Sequence, residues 1–92
     1  MDIKIYYKGQ LSMYVDSSIE NISLESPISL LDLIKNLSAK KDSEFRNLIF
    51  DSQNKLRGSL MIAINNNQVV ELSETIIDKD CEITLLPPIA GG

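Results

Sequence analysis

The sequence predicts an α+β fold in which one main helix covers one face of a mixed β-sheet. Segments with an apolar residue at every second position occur in both halves of the chain, and this spacing is typical of half-buried strands. One segment between them has the apolar spacing of an amphipathic helix. A single helix covers only one face of the sheet, so the other face is open to solvent or to a partner. At 92 residues the chain is long enough for one domain with one core.

The first half of the chain predicts two strands joined by a turn. Residues 3–7 alternate with period two and are rich in isoleucine and tyrosine, which favours a strand. Residues 8–10 then predict a turn at Gly9. A second strand is predicted within 18–25, with Ile22 and Leu24 facing the core.

The main helix has a clear predicted start. Ser29 is a good N-cap, and Asp32 stands three residues later in the acidic position of a capping box. The stripe that follows predicts a helix to about Lys40; its members are Leu30, Leu31, Leu33, Ile34 and Leu37. A short second helix is predicted within 42–53.

The second half of the chain predicts three more strands. They are expected at 60–64, at 69–72 and at 82–86, and a polar turn separates the first two. The turn at 65–68 is rich in asparagine, which tolerates left-handed backbone. The last strand is expected to end at Pro87 and Pro88, because proline has no N–H to donate to a sheet.

Strand alternation divides the side chains between two sheet faces. The predicted core face carries Ile3, Ile5, Tyr7, Leu60, Ile62, Ile64, Ile83 and Leu85. The opposite face carries Tyr6, Met61, Ala63 and Leu86, together with Lys4, Glu82 and Thr84. Leu86 lies directly beside the end of the chain, so it suggests a docking patch with Met61 and Ala63. The alternative is ordinary scattered surface hydrophobic residues.

The last residues predict a narrow, extended tail on the domain. We expect a folded domain at 1–88 and a flexible tail at 89–92. Two prolines stiffen the exit, Ile89 offers one apolar contact and Ala90 is small. Gly91 and Gly92 carry no side chain, so they suit insertion into a partner's narrow channel. The alternative is a frayed chain end.

Composition argues against several functional classes. Histidine is absent and Cys81 is the only cysteine, which excludes Cys/His metal sites and histidine-based nucleophilic catalysis. We therefore expect no metal and no cofactor bound by this chain. Thirteen acidic and nine basic residues argue against nucleic-acid binding. No apolar run is long enough for a membrane span, and no secretory signal is recognisable, so we expect a cytoplasmic protein.

The C-terminal residues resemble those of the MoaD and ThiS family of sulfur carriers. The segment Leu85-Leu86-Pro87-Pro88-Ile89-Ala90-Gly91-Gly92 is similar to the family's Pro-Pro-Val-Ala-Gly-Gly ending, and the doubled proline is typical of the small subunit of molybdopterin synthase. Ala63-Ile64-Asn65 also resembles the family pattern. One departure is Lys79, where the family usually has glycine. The implied fold is the ubiquitin-like β-grasp.

This resemblance implies a specific chemistry for Gly92. A MoeB- or ThiF-like enzyme would adenylate the C-terminal carboxylate with ATP, and a persulfide sulfur would convert it to a thiocarboxylate. A MoaE-like large subunit would then accept the tail, and the sulfur would enter molybdopterin. Leu86 to Ala90, with Met61 and Ala63, would contact these partners. The chain would be a carrier, with the catalytic groups on its partners.

Three other functions remain open. The chain could be a protein modifier joined to targets through Gly92, because that use requires the same adenylation. It could donate sulfur for thiamine or cysteine synthesis. It could also be a plain β-grasp interaction module with an incidental Gly-Gly end. Cys81 lies between Asp80 and Glu82 rather than near basic groups, so we interpret it as a structural residue and not as a sulfur relay.

Overall fold

The computed structural model describes residues 1–87 of the chain. The strands are β1 (Asp2–Tyr7), β2 (Ile19–Ser23), β3 (Ile28–Ser29), β4 (Met61–Ile64), β5 (Asn67–Gln68), β6 (Ile76–Ile77) and β7 (Cys81–Leu86). The helices are α1 (Leu30–Ala39) and α2 (Ser43–Ile49), with short 3₁₀ helices at Gly9–Tyr14 and Leu72–Glu74. This order agrees with the predicted α+β class.

Five of the strands form one mixed sheet. Their order across the sheet is β2-β1-β7-β4-β5, and β3 and β6 form a separate antiparallel pair. The first and last strands, β1 and β7, lie side by side and run parallel. The other pairs in the large sheet are antiparallel. The last strand is therefore an inner strand, hydrogen-bonded to a neighbour on each side.

The core lies between this sheet and α1, as the alternation predicts. The inward residues of β1 and β7 are almost fully buried, and those of β4 are buried or partly buried. From α1 the buried apolar residues are Leu30, Leu33, Ile34 and Leu37. The Phe45 ring of α2 packs edge-on against the Tyr7 ring, with 5.5 Å between centroids. Such aromatic pairs contribute beyond their buried area.

Both helices begin with a side-chain cap. The Ser29 hydroxyl accepts a hydrogen bond from the backbone N–H of Asp32 at 3.1 Å, which confirms the predicted N-cap of α1. The Asp42 carboxylate accepts from the N–H of Phe45 at 3.0 Å and caps α2 in the same way. The helix α1 ends at Ala39, and Lys40 is its C-cap.

The predicted turn after β1 is only the start of a longer element. Residues Gly9–Tyr14 form a 3₁₀ helix, and its Leu11 side chain is fully buried. Gly9 opens this helix with a φ of +57°, a left-handed conformation that glycine adopts at low cost. The helix lies against the end of β7, so it affects the residues that precede the tail.

The predicted short strand at 69–72 is wrong. Asn65 and Asn66 adopt left-handed φ values of 49° and 72°, so the chain reverses within two residues. The pairing strand β5 therefore starts already at Asn67, opposite Ile64. The N–H of Val69 adds one further hydrogen bond to β4 before the chain leaves the sheet.

Candidate functional site

The strand β7 brings the chain to a defined exit at the end of the sheet. Ile83 and Leu85 of this strand are buried, and its register with β1 and β4 extends to Leu85 and Leu86. The backbone is thus held on both sides up to the last residue of the strand. The residues after Pro87 therefore start from a fixed position at this end of the sheet.

The exit is held from the side by the 3₁₀ helix. The backbone N–H of Lys8 donates to the carbonyl oxygen of Leu85 at 3.0 Å. The Pro87 ring is buried, and two of its carbons lie 3.7 Å from the point that a Cβ on Gly9 would occupy. Pro87 therefore packs within the chain's own fold. Its predicted contact with a partner stays a prediction.

Three predicted partner-binding residues lie together on the open sheet face. Met61 is directly opposite Leu86 in the β4–β7 register, and Ala63 is opposite Thr84. The exposed fraction is 47% for Met61 and 37% for Leu86. We call Met61, Ala63 and Leu86 the open-face patch. With Gln68 and Thr84 these residues line a shallow hollow of about 80 Å³.

The surface next to the open-face patch continues across the sheet to β1 and β2. Thr84 is opposite Tyr6 in β1, and Tyr6 is opposite Ile19 in β2. Ile19 is 42% exposed. Its place on the open face follows from the alternation of side chains along β2, because Ile19 is an odd number of residues from Ile22, which faces the core. That signal was available in the sequence.

The remaining predicted site residues lie outside the described part of the chain. They are Pro88, Ile89, Ala90, Gly91 and Gly92.

A polar network joins the segment that follows α1 to the strands β1 and β2. The Tyr7 hydroxyl donates to Glu20 Oε1 at 2.6 Å, and Lys41 Nζ donates to the same oxygen at 3.1 Å. Burial opposes the charge on Glu20, but these two hydrogen bonds and the charges of Lys41 and Lys40 together outweigh it and hold its pKa below the ordinary value. Burial, then the bond to Glu20, strongly raises the pKa of Tyr7. Sequence reasoning missed this network because its members are far apart in the chain.

The environment of Cys81 favours the structural interpretation. The side chain is half-buried and packs against the core. Burial raises the pKa of its thiol, and the Asp80 carboxylate raises it further. The thiolate that sulfur chemistry requires is therefore disfavoured at neutral pH.

The described residues show neither a metal-ligand cluster nor a membrane-spanning helix. Within 1–87, histidine, cysteine, aspartate and glutamate side chains form no group of three that could hold a metal ion. Neither α1 nor any other helix of that region has the length and apolar character needed to cross a membrane. The expectation that the chain binds no metal or cofactor stays a prediction.

Lys79 fits its turn without a glycine. Among the described non-glycine residues, only Asn54, Asn65 and Asn66 have positive φ, so Lys79 needs no left-handed backbone. The neighbouring Asp80 carboxylate accepts a hydrogen bond from the N–H of Asp2 at 2.7 Å, which ties this turn to the start of β1. The departure from the family pattern is thus compatible with the same strand pairing.

Two archaeal proteins have closely similar structures. SAMP1 from Haloferax volcanii has a TM-score of 0.83 at 16% identity, with 100% of each chain covered. The small archaeal modifier protein 1 from Methanosarcina acetivorans has a TM-score of 0.76 at 27% identity, with 99% of this chain and 96% of that chain covered.

A third similar structure comes from a bacterial complex. It is the protein–protein complex of subunits 1 and 2 of the molybdopterin-converting factor from Helicobacter pylori. Its TM-score is 0.63 at 21% identity, with 100% of each chain covered. These similarities confirm the ubiquitin-like β-grasp fold.

Sequence comparison identifies the family. No curated protein sequence matches the chain significantly. The sequence model of the ThiS family, however, matches residues 5–92, which is nearly the whole chain and includes Gly91 and Gly92. The chain belongs to the ThiS family of small ubiquitin-like sulfur carriers and protein modifiers.

Proposed function

We propose that this protein is a sulfur carrier whose working group is the Gly92 carboxylate. The observation that carries the proposal is the family match, which runs through the Gly-Gly pair to residue 92. The fold supports it, because the tail follows directly from an inner strand whose end is held by β1, β4 and the 3₁₀ helix. The proposal requires that Gly92 carries a free carboxylate in the working protein.

The chemistry begins with activation of an unreactive group. A carboxylate is a poor electrophile, so a partner first transfers AMP from ATP to Gly92 and releases pyrophosphate. The terminal sulfur of a partner's persulfide then displaces AMP. A second thiol cleaves the resulting acyl disulfide, which leaves the thiocarboxylate on Gly92 and a disulfide on the partner side. Gly91 and Gly92 have no Cβ, so the partner's groups can approach the reacting carbonyl closely.

The open-face patch is the proposed docking surface for these partners. Met61 and Leu86 expose apolar area beside the exit of the tail, so a partner that binds them also receives the last residues. We infer two partners in turn, a MoeB- or ThiF-like adenylating enzyme and a MoaE-like synthase subunit. Subunit 1 of the Helicobacter pylori factor is found in a complex with subunit 2, which supports the second partner. The proposed destination of the sulfur is molybdopterin.

A specific observation favours protein modification as a second candidate. The Methanosarcina acetivorans protein at 27% identity is described as a small archaeal modifier. Both functions start with the same acyl adenylate, and they diverge at the nucleophile. A persulfide sulfur gives a carrier, whereas a lysine amine gives an isopeptide bond to a target.

The activation step can be tested with the full chain and a purified adenylating enzyme from the same cells. The measurement is ATP–pyrophosphate exchange that depends on the carrier. A chain lacking Gly91 and Gly92 should support no exchange. Gly58→Ala is the matched control, because a Cβ at Gly58 would meet no atom within 4 Å and exchange should be unchanged. Exchange supported by the truncated chain at the level of the full chain would contradict the proposal.

A further inference from the structure

A second hollow lies on the helix side of the molecule, away from the open sheet face. It has a volume of about 280 Å³ and lies between the second half of α1, α2 and the loop that follows α2. Its lining residues are Lys35, Ser38, Ala39, Arg46, Phe50 and Asn54. Cavities for drug-sized ligands usually exceed about 300 Å³, so this hollow suits one or two side chains.

The inner wall of the hollow contains an unsatisfied hydroxyl group. Ser38 is only 2% exposed, and its Oγ has no hydrogen-bond partner. A helical serine commonly donates to the carbonyl four residues back, here Ile34, but that bond is absent. A buried hydroxyl without a partner destabilises a fold, and alanine would fill the same space without that cost. The oxygen is inaccessible to solvent in this structure, so a group bound in the hollow would reach it only after rotation about the Cα–Cβ bond of Ser38.

The rim of the hollow carries two cations without acidic partners. In the described region the only ion pair joins Lys41 to Glu20, so Lys35 and Arg46 have none. One guanidinium nitrogen of Arg46 donates to the Lys41 carbonyl at 2.6 Å, which holds the group in place and leaves its other N–H donors available. The side chains of Ala39 and Phe50 add apolar lining to the same hollow. The hollow thus combines two positive donors, an apolar surface and an unused hydroxyl.

The surrounding segment is positive in an otherwise acidic molecule. Residues 35–57 contain six of the nine basic residues and three of the thirteen acidic ones, a net charge of +3. The rest of the chain contains three basic and ten acidic residues, a net charge of -7. This division would orient an acidic partner towards the hollow and repel it from the remaining surface.

We propose that this hollow is a docking site for an acidic segment of a partner protein. Carboxylates of the segment bind Lys35 and Arg46, a neighbouring apolar side chain packs on Ala39 and Phe50, and a polar group takes the hydrogen bond of Ser38. The charge division and the open, exposed rim favour a protein segment over a free small molecule. The site does not involve Gly92, so its test is independent of sulfur transfer.

The test titrates the full-length ¹⁵N-labelled protein with the peptide acetyl-Glu-Leu-Glu-amide and follows backbone amide shifts. We expect saturable shifts at Ala39, Phe50 and Asn54, and none with acetyl-Gln-Leu-Gln-amide. Lys35→Gln and Ser38→Ala should each weaken binding about fivefold or more. Lys55→Gln makes the same charge change in the same segment outside the hollow, and it should weaken binding about twofold or less. Ser38→Ala should also raise the melting temperature of the free protein.

Several results would overturn the proposal. One is the absence of saturable shifts at the hollow with the acidic peptide. Another is an equal effect of Lys35→Gln and Lys55→Gln, which would mean diffuse charge attraction. Unchanged affinity in Ser38→Ala would also contradict the proposal, because the proposal assigns this hydroxyl a hydrogen bond to the bound segment. The last titration uses isovalerate, a free apolar carboxylate, in place of the peptide. Saturable binding of isovalerate without binding of the peptide would assign the hollow to a small molecule instead.

Discussion

At the scale of single residues, Glu20 makes stability depend on pH. Its folded-state pKa is lowered, so its contribution is present above the ordinary value of 4.5 and is lost as the pH falls through the folded-state value. Glu20→Gln should therefore lower the free energy of unfolding by about 1 kcal/mol at neutral pH, a modest figure because the carboxylate is partly exposed. Urea denaturation at neutral pH and at about pH 3 measures this difference, which should shrink on acidification.

Glu25 provides the control for this pH dependence. It is exposed shortly after β2, and none of the described hydrogen bonds or ion pairs involves its side chain. Glu25→Gln should change the free energy of unfolding by less than about 0.5 kcal/mol at either pH. A Glu20→Gln deficit that grows on acidification would show that the hydrogen bonds to Tyr7 and Lys41 do not stabilise the charged form.

Cys81 is expected to be chemically inert at neutral pH. Burial and Asp80 raise its pKa, so the thiolate fraction is small and alkylation by iodoacetamide should be slow compared with a free cysteine peptide. Cys81→Ala should retain sulfur loading of Gly92. A variant that folds but cannot be loaded would make Cys81 a sulfur relay and overturn its structural role.

At the scale of elements, the N-cap of α1 can be tested by one substitution. Ser29→Ala removes the acceptor for the Asp32 N–H, which should cost about 1 kcal/mol of the free energy of unfolding. Ser52→Ala, in an exposed turn, is the control and should be close to neutral. Thermal or urea denaturation measures both variants, and equal stability of the two would show that the cap contributes nothing.

The open-face patch predicts a loss of docking without a loss of fold. Leu86→Glu places a charge on the partly exposed face of β7 beside Met61, so the KM of the adenylating enzyme for the carrier should rise about tenfold or more. Val70→Glu is the matched control, since Val70 is 77% exposed outside the patch and its KM should be unchanged. Circular dichroism checks that both variants fold. Equal KM values for the two variants would count against the patch.

The elements that the sequence predicts well are those with a repeated or paired signal. Alternation identifies β1, β4 and β7 and assigns their faces, and Ser29 with Asp32 identifies the start of α1. The Gly9–Tyr14 helix has no such signal, because one buried residue, Leu11, anchors it and its remaining residues are exposed or partly exposed. The sequence predicts β5 too late in the chain, because asparagine is rare in strands and the left-handed turn that sets its register depends on backbone angles.

At the scale of the whole molecule, the fold places the open-face patch beside the end of the last strand. The parallel pairing of β1 and β7 makes the last strand an inner one, and the antiparallel pairing of β4 brings Met61 beside Leu86. The alternation of apolar residues in the sequence predicts the face on which these residues lie, but it does not predict their neighbours across the sheet. The role of Pro87 in internal packing is evident only from the structure, because it depends on the approach of the 3₁₀ helix to the end of β7.

The central claim is that Gly92 carries sulfur, and intact mass spectrometry of the protein isolated from its native cells tests it most directly. The account predicts a population heavier by the exchange of one oxygen atom for sulfur, with fragmentation placing the change on Gly92 as the last residue. Alkylation of the thiocarboxylate should label that same residue, also in Cys81→Ala. A population joined through Gly92 to lysines of other proteins, with no sulfur-containing form even when isolated rapidly, would contradict the carrier function and identify a protein modifier.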